Sequence, residues 1–340
     1  MPSVTGEAVV AARQRNRHRM AWLFGLALLG AMVSIALHFS EGREFVRIAE
    51  RAEPWWLLVA VVLQAGTYLA QGQIWRTVAR AAGFPLSRSV AYRLSLAKLF
   101  VDQALPTGGI SGTIVVGKAL EARGMQRPAV MAGVVVINTA AYYVAYGFNL
   151  VAALLITAIS YRVNGLLLLA TLLFAAFGML FAALLLALSG RADGWITKLG
   201  RLRALARLLR MLQEADPRLA RDPALLLRAI ASQTMIFWLD AATLWVLVLA
   251  MGETGHAGGI FAGYMFASVF RSIGLLPGGL GTFEAAAVLT LKLAGISLPA
   301  ALAATLVFRG LSFWLPMLPG LWFSRAASFP RPPPQSSQAR

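Results

Sequence analysis

The run Arg271-Ser272-Ile273-Gly274-Leu275-Leu276-Pro277-Gly278-Gly279-Leu280-Gly281-Thr282-Phe283-Glu284 lies in the middle of an apolar stretch, about 262–295, and interrupts it. Proline removes a helical donor and clashes with the preceding turn. Glycines at 278, 279 and 281 make a continuing helix costlier still. The arms on either side run to about 12–15 residues, or roughly 18–22 Å as helix, short of a ~30 Å hydrocarbon core. A second apolar stretch, about 91–122, is broken in the same way at Leu105-Pro106-Thr107-Gly108-Gly109. Half-helices meeting at a Gly-rich break are the expected form of a re-entrant hairpin, tolerated where protein or water satisfies the backbone.

The rest of the chain supports a membrane setting. Of its 340 residues 59% are hydrophobic and 13% charged, against about 25% charged in soluble domains, and mean hydropathy is +0.69. Six segments are long enough to span: roughly 20–39, 55–75, 129–158, 164–188, 226–250 and 299–323. The first follows Arg13, Arg15, Arg17 and Arg19 and resembles a signal peptide. Its apolar stretch from Met20 to Leu37 exceeds the ~7–15 residues of a secretory core, so it reads as an uncleaved helix. There is no cysteine, which excludes disulfides, thiolate metal sites and cysteine nucleophiles. His18, His38 and His256 are too scattered for a metal site, and no cofactor is expected.

A shift of 171 residues superimposes the two interruptions: Pro106 on Pro277, Gly108 on Gly279, Leu120 on Leu291, Gly124 on Gly295 and Pro128 on Pro299. The formal charge of +17, from 31 Lys+Arg against 14 Asp+Glu, points to cytoplasmic loops rich in cations rather than to nucleic acid. With both hairpins returning to their own side and the N-terminus inside, cytoplasmic segments hold 23 of the 31 cations. The alternative, eight spans, would leave the nine cations of 189–228 outside. The expected fold is therefore an all-α polytopic membrane protein of about six transmembrane helices plus two Pro/Gly-broken re-entrant hairpins. Three spans separate the hairpins, so they enter from opposite sides as an inverted repeat.

The expected organisation is a basic cytoplasmic N-terminus (1–19), one transmembrane domain (20–325) and a disordered Pro-rich tail (326–340). Within the domain the repeat halves cover about 55–158 and 226–323, and both termini face the cytoplasm of a bacterial inner membrane. The linking segment 189–225 contains an amphipathic stretch, 195–212, whose leucines share a face and whose Lys198, Arg201, Arg203, Arg207 and Arg210 suit an anionic lipid surface.

An ionisable group within a span costs ~2.5–3.5 kcal/mol on insertion scales and needs a partner or a purpose. Six qualify: Lys98, Asp102, Asp240, Arg271, Glu284 and Arg309. Lys98 and Asp102 are four apart and can pair. Glu284, three residues after Gly281, suits the positive end of a helix as a cap. Arg271 and Arg309 beside one glutamate leave net positive charge that an anionic group would meet together with the N–H groups of the turn. The candidate substrate path is thus Lys98, Asp102, Pro106, Gly108, Gly109, Asp240, Arg271, Pro277, Gly278, Gly279, Gly281, Glu284 and Arg309. No acid–base pair, metal-ligand cluster or nucleophile elbow indicates catalysis.

The run Arg271 to Glu284, with Gly295-Ile296-Ser297, Ala300-Ala301 and Arg309, resembles the lysylphosphatidylglycerol synthase transmembrane-region family. Leu105-Pro106, Gly108-Gly109 and Gly124 resemble that family's first signature, and the likeness covers about 20–325. The family includes the membrane half of the bacterial multiple peptide resistance factor, which flips aminoacylated phosphatidylglycerol. It also holds stand-alone members linked to hopanoid or polyprenyl-linked sugar pathways. The resemblance implies a flippase-like translocator and marks Pro277, Gly279, Gly281, Glu284 and Arg309 as signature positions. No soluble aminoacyl-transferase domain follows the last span before Arg340, so lysyl transfer is not expected of this chain. The expected function is translocation of an anionic or modified phospholipid or a polyprenyl or hopanoid-type lipid. The alternative is a non-transporting membrane partner of a cytoplasmic lipid-modifying or glycosyl-transferase enzyme, held through the basic segment.

Overall fold

The computed structural model describes residues 53–104, 110–160, 165–189, 212–273 and 277–328, and they are all-helical. Helix α1 is Pro54–Ala81, α2 Arg88–Ala104 and α3 Ile110–Glu121. Helix α4 runs on without a break through an α-helical start Arg127–Val130, a π-helical segment Met131–Ile137 and Asn138–Ser160. Then come α5 (Gly165–Leu188), the short α6 (Pro217–Ala220), α7 (Pro223–Ala250) and α8 (Ala257–Ile273). A 3₁₀ turn at Pro277–Gly279 leads to α9 (Thr282–Leu293). Helix α10 joins Leu298–Arg309, a π-helical segment Gly310–Trp314 and Leu315–Ser328.

Five helical stretches are long and apolar enough to cross a membrane: Pro54–Ala81, Arg127–Ile159, Thr171–Leu188, Pro223–Ala250 and Leu298–Ser324. They are five of the six spans expected from the sequence, and the chain is an all-α polytopic membrane protein. The remaining span, 20–39, lies outside the described residues. So do Pro106, Gly108 and Gly109, nearly all of the amphipathic stretch 195–212, and the tail from 329. Leu168, Leu169, Leu172, Leu173, Phe177, Leu180 and Leu184 make α5 apolar on its exposed face, as lipid contact requires and water would not tolerate at this density.

Each element begins and ends where local chemistry puts it. Prolines open α1, α6 and α7 in the first turn, where the missing N–H has no helical partner to lose. Asp222 caps α7 by accepting from the N–H groups of Ala224 and Leu225 at 2.9 and 3.2 Å. Helices α1, α3, α7 and α9 all close with a glycine at positive φ and the paired backward hydrogen bonds of a Schellman turn. Those glycines are Gly83, Gly124, Gly252 and Gly295.

The two halves match element by element. Helices α1 and α7 both have 28 residues, α2 and α8 both 17, and α3 and α9 both 12. The longer arms thus exceed the expected 12–15 residues, reaching about 26 Å, because each starts beyond its apolar stretch, at Arg88 and Ala257. Helix α2 packs against α3, and α8 against α9, while α1 and α7 run along each other. The broken pairs are then braced crosswise: α2 lies on the end of α10, and α8 lies on α4. At the first brace Gly320 brings α10 against the Leu96 carbonyl and Phe100 of α2. At the second, the hydroxyls of Ser268 and Tyr146 share a hydrogen bond of 2.9 Å.

Candidate functional site

The break in the second half is organised around one buried ion pair. Pro277 opens a single 3₁₀ turn, and Gly278, Gly279 and Gly281 adopt φ of 63°, 65° and 82°. This folds the chain so tightly onto α8 that a Cβ on Gly279 would stand 2.7 Å from the Arg271 Cα. Glu284, in the first turn of α9, accepts the Gly281 N–H at 2.6 Å through Oε2. Its other oxygen, Oε1, accepts from Arg309 Nε at 2.6 Å, with the two side chains 1% and 4% exposed. Arg309 also donates through Nη2 to the Gly278 carbonyl at 3.0 Å. The rings of Phe313 and Phe283 flank its guanidinium at 4.5 and 5.3 Å. Glu284 is therefore both the helix cap expected from its position and the counterion of Arg309.

The two arginines lie over the same Phe283 ring but differ in their partners. Arg309 is fully engaged and sealed from solvent. Arg271 is only partly buried, and among the described residues no carboxylate lies within ion-pair distance and no hydrogen bond to its guanidinium is seen. Its near neighbour is the Phe283 ring, 5.8 Å away. Asp240, Tyr264, Tyr142 and Tyr146 lie within its electrostatic reach. The net positive charge expected at this break thus belongs to Arg271 alone, because Glu284 neutralises Arg309.

Asp240 of α7 stands at the neighbouring polar centre. Its Oδ2 accepts from the Tyr264 hydroxyl of α8 at 2.8 Å, and its Oδ1 from Gln64 Nε2 of α1 at 3.2 Å. Tyr264, Ser268 and Arg271 follow one another at spacings of four and three along α8, which puts them on one helical face. The structure thus brings together Asp240, Arg271, Pro277, Gly278, Gly279, Gly281, Glu284 and Arg309. The sequence reading missed Gln64, Tyr264 and the flanking Phe283 and Phe313. The polar spacing along α8 and a glutamine inside a 28-residue apolar helix are signals that could have found the first two.

Lys98 and Asp102 form a separate centre in the first half. Lys98 Nζ and Asp102 Oδ2 are 2.6 Å apart, and the side chains are 18% and 15% exposed. The other Asp102 oxygen accepts the N–H of Gly112 at 2.8 Å, so the carboxylate clasps α2 to the first turn of α3. A Cβ on Gly112 would collide with that carboxylate. The two centres are linked through α10. Its π-helical segment frees two carbonyls: Leu311 O accepts from the Tyr68 hydroxyl and Ser312 O from Gln103 Nε2, both at 3.2 Å.

Five apolar spanning helices around two broken helix pairs, with ionised side chains at both breaks, define a multi-pass membrane protein. The family model of the lysylphosphatidylglycerol synthase TM region matches residues 22–320, and the chain belongs to that family. No curated protein matches the chain. Family membership sets it among membrane proteins of lipid metabolism or translocation.

Proposed function

We propose that the chain carries lipids with an anionic headgroup between the leaflets of the bacterial inner membrane, as a flippase-like translocator without a bond-making step of its own. In this reading the α2/α3 and α8/α9 pairs are re-entrant hairpins of an inverted repeat, entering from the cytoplasm and from outside, with both termini cytoplasmic. Headgroups pass along the polar face of α8 while acyl chains remain in the bilayer. The observation that carries the reading is Arg271: a half-buried cation beside a helix break, with no carboxylate within ion-pair distance among the described residues. A cation at that depth without a carboxylate in contact is costly unless a mobile anion visits it. The neighbouring pair Glu284–Arg309 is closed and leaves Arg271 as the accessible charge.

Two measurements test it. In liposomes carrying a headgroup-labelled phosphatidylglycerol, Arg271→Gln should slow leaflet exchange about tenfold or more, since a charge-assisted hydrogen bond contributes ~1.5–3 kcal/mol. Thermal stability should hold, because no described ion pair is broken. Full exchange in the variant would remove Arg271 from the path and this reading with it. Topology is tested with single cysteines, which the cysteine-free chain makes unambiguous. Arg88 and His256 stand exposed at the open ends of the two broken pairs. Cysteine at 88 should react with an impermeant maleimide only after permeabilisation, and cysteine at 256 in intact cells. Labelling of both from one side would exclude the inverted arrangement.

A further inference from the structure

We propose that Asp240 is a proton site that couples one proton to each anionic headgroup passing Arg271, so that the pair crosses without net charge. The inference rests on the headgroup reading above and deepens it. Asp240 of α7 bonds Tyr264, which lies on the same face of α8 as Arg271, and among the described residues no ion pair joins the two opposite charges. A headgroup can therefore reach Arg271 without first breaking a contact. Once it does, the guanidinium turns its field to the new anion and Asp240 loses its compensation. A partly buried carboxylate facing a second anion, with its cation engaged elsewhere, then takes up a proton.

The hydrogen bonds around Asp240 have a solution for both forms. In the present arrangement Gln64 Nε2 donates to Asp240 Oδ1 and to Thr67 Oγ1, each at 3.2 Å, which suits a carboxylate. Gln64 is 5% exposed, and its Oε1 is buried with no hydrogen-bond partner. An orphaned buried acceptor beside a partly buried acid is costly, but the same amide turned over offers Oε1 to a proton on Asp240 Oδ1. Tyr264 keeps its bond to Oδ2 in both forms. When the headgroup leaves, Arg271 again offsets Asp240 and the proton departs to the water on that side. The other titratable groups facing this centre are Tyr68 of α1, Tyr142 and Tyr146 of α4, and the closed Glu284–Arg309 pair of α9 and α10. The Glu284–Arg309 ion pair is neutral in sum.

The test reads the steady-state leaflet ratio of trace headgroup-labelled phosphatidylglycerol in zwitterionic liposomes, with protein-free vesicles as reference. With one proton per lipid, a gradient of one pH unit should enrich the label about tenfold in the leaflet facing the alkaline side. An imposed membrane potential should leave it unmoved. An uncoupled lipid anion would do the reverse, shifting about tenfold for each ~60 mV and ignoring the pH gradient. Asp240→Asn should convert the first behaviour into the second. Gln64→Leu, which keeps the carboxylate and removes the acceptor, should shrink the pH response and serves if Asp240→Asn does not fold. Exchange that follows the potential and ignores pH in the wild-type protein would overturn the proton site and leave the headgroup reading standing. No protein-dependent exchange of the label would overturn both.

Discussion

Glu284→Gln is expected to destabilise the protein by about 3–5 kcal/mol, the cost of leaving one member of a buried ion pair without its partner. The magnitude follows from enclosure: with Glu284 and Arg309 1% and 4% exposed, water cannot replace the missing charge. The amide can still accept from the Gly281 N–H, so the cap survives and the loss reports Arg309 left uncompensated between Phe283 and Phe313. Arg309→Gln should cost a similar amount, and additionally releases the Gly278 carbonyl. The double variant Glu284→Gln/Arg309→Gln should be more stable than either single one, because two amides can bond each other with no net charge to bury. Thermal unfolding of the four proteins in one detergent forms the cycle that measures this coupling. Additive losses, or single variants that melt with the wild type, would show that the two charges do not depend on each other.

The second large effect is expected at Gly279. Alanine there must hold φ of +65°, which costs a side chain roughly 1–2 kcal/mol. Its Cβ would also stand 2.6 Å from Arg271 Cγ and 2.7 Å from Arg271 Cα. Backbone cannot give way as a flexible side chain does, so the turn must lift off α8. Gly279→Ala should therefore reduce stability by more than the conformational cost alone and displace Arg271. Gly310→Ala is the matching control. That glycine has φ of −53° with nothing within 4 Å of an added Cβ, and alanine in a helix is favoured by about 1 kcal/mol. Opposite signs at the two positions are the expected result. Equal small effects would mean that the turn at 277–281 does not depend on its close approach to Arg271.

The sequence and the structure agree best where the signal is local. Apolar length located five spans to within a few residues, and Pro277 with its glycines marked the second break. The four-residue spacing of Lys98 and Asp102 was enough to pair them. What escaped the sequence depends on partners far along the chain. Glu284 and Arg309 are separated by 25 residues, and nothing in local spacing says which of two arginines the glutamate will meet. Gln64 and Asp240 lie 176 residues apart, so their bond is invisible to periodicity. The π-helical segments also left no trace, since one extra residue in a turn barely disturbs an apolar pattern.

The crosswise bracing of the broken pairs sets a timetable for biosynthesis. Gln103 of α2 finds its acceptor, the Ser312 carbonyl of α10, 209 residues later in the chain. At translation rates of 5–20 residues per second, that brace cannot form until about 10–40 s after α2 has been made. Throughout this interval α2 and α3 must stay together without the contacts that α10 later supplies. The bonds within reach are those of Asp102, to Lys98 four residues before it and to the Gly112 N–H ten residues after it. Both partners leave the ribosome within seconds of one another, so this clasp stands as a temporary scaffold for the first half until the last helix arrives to lock it.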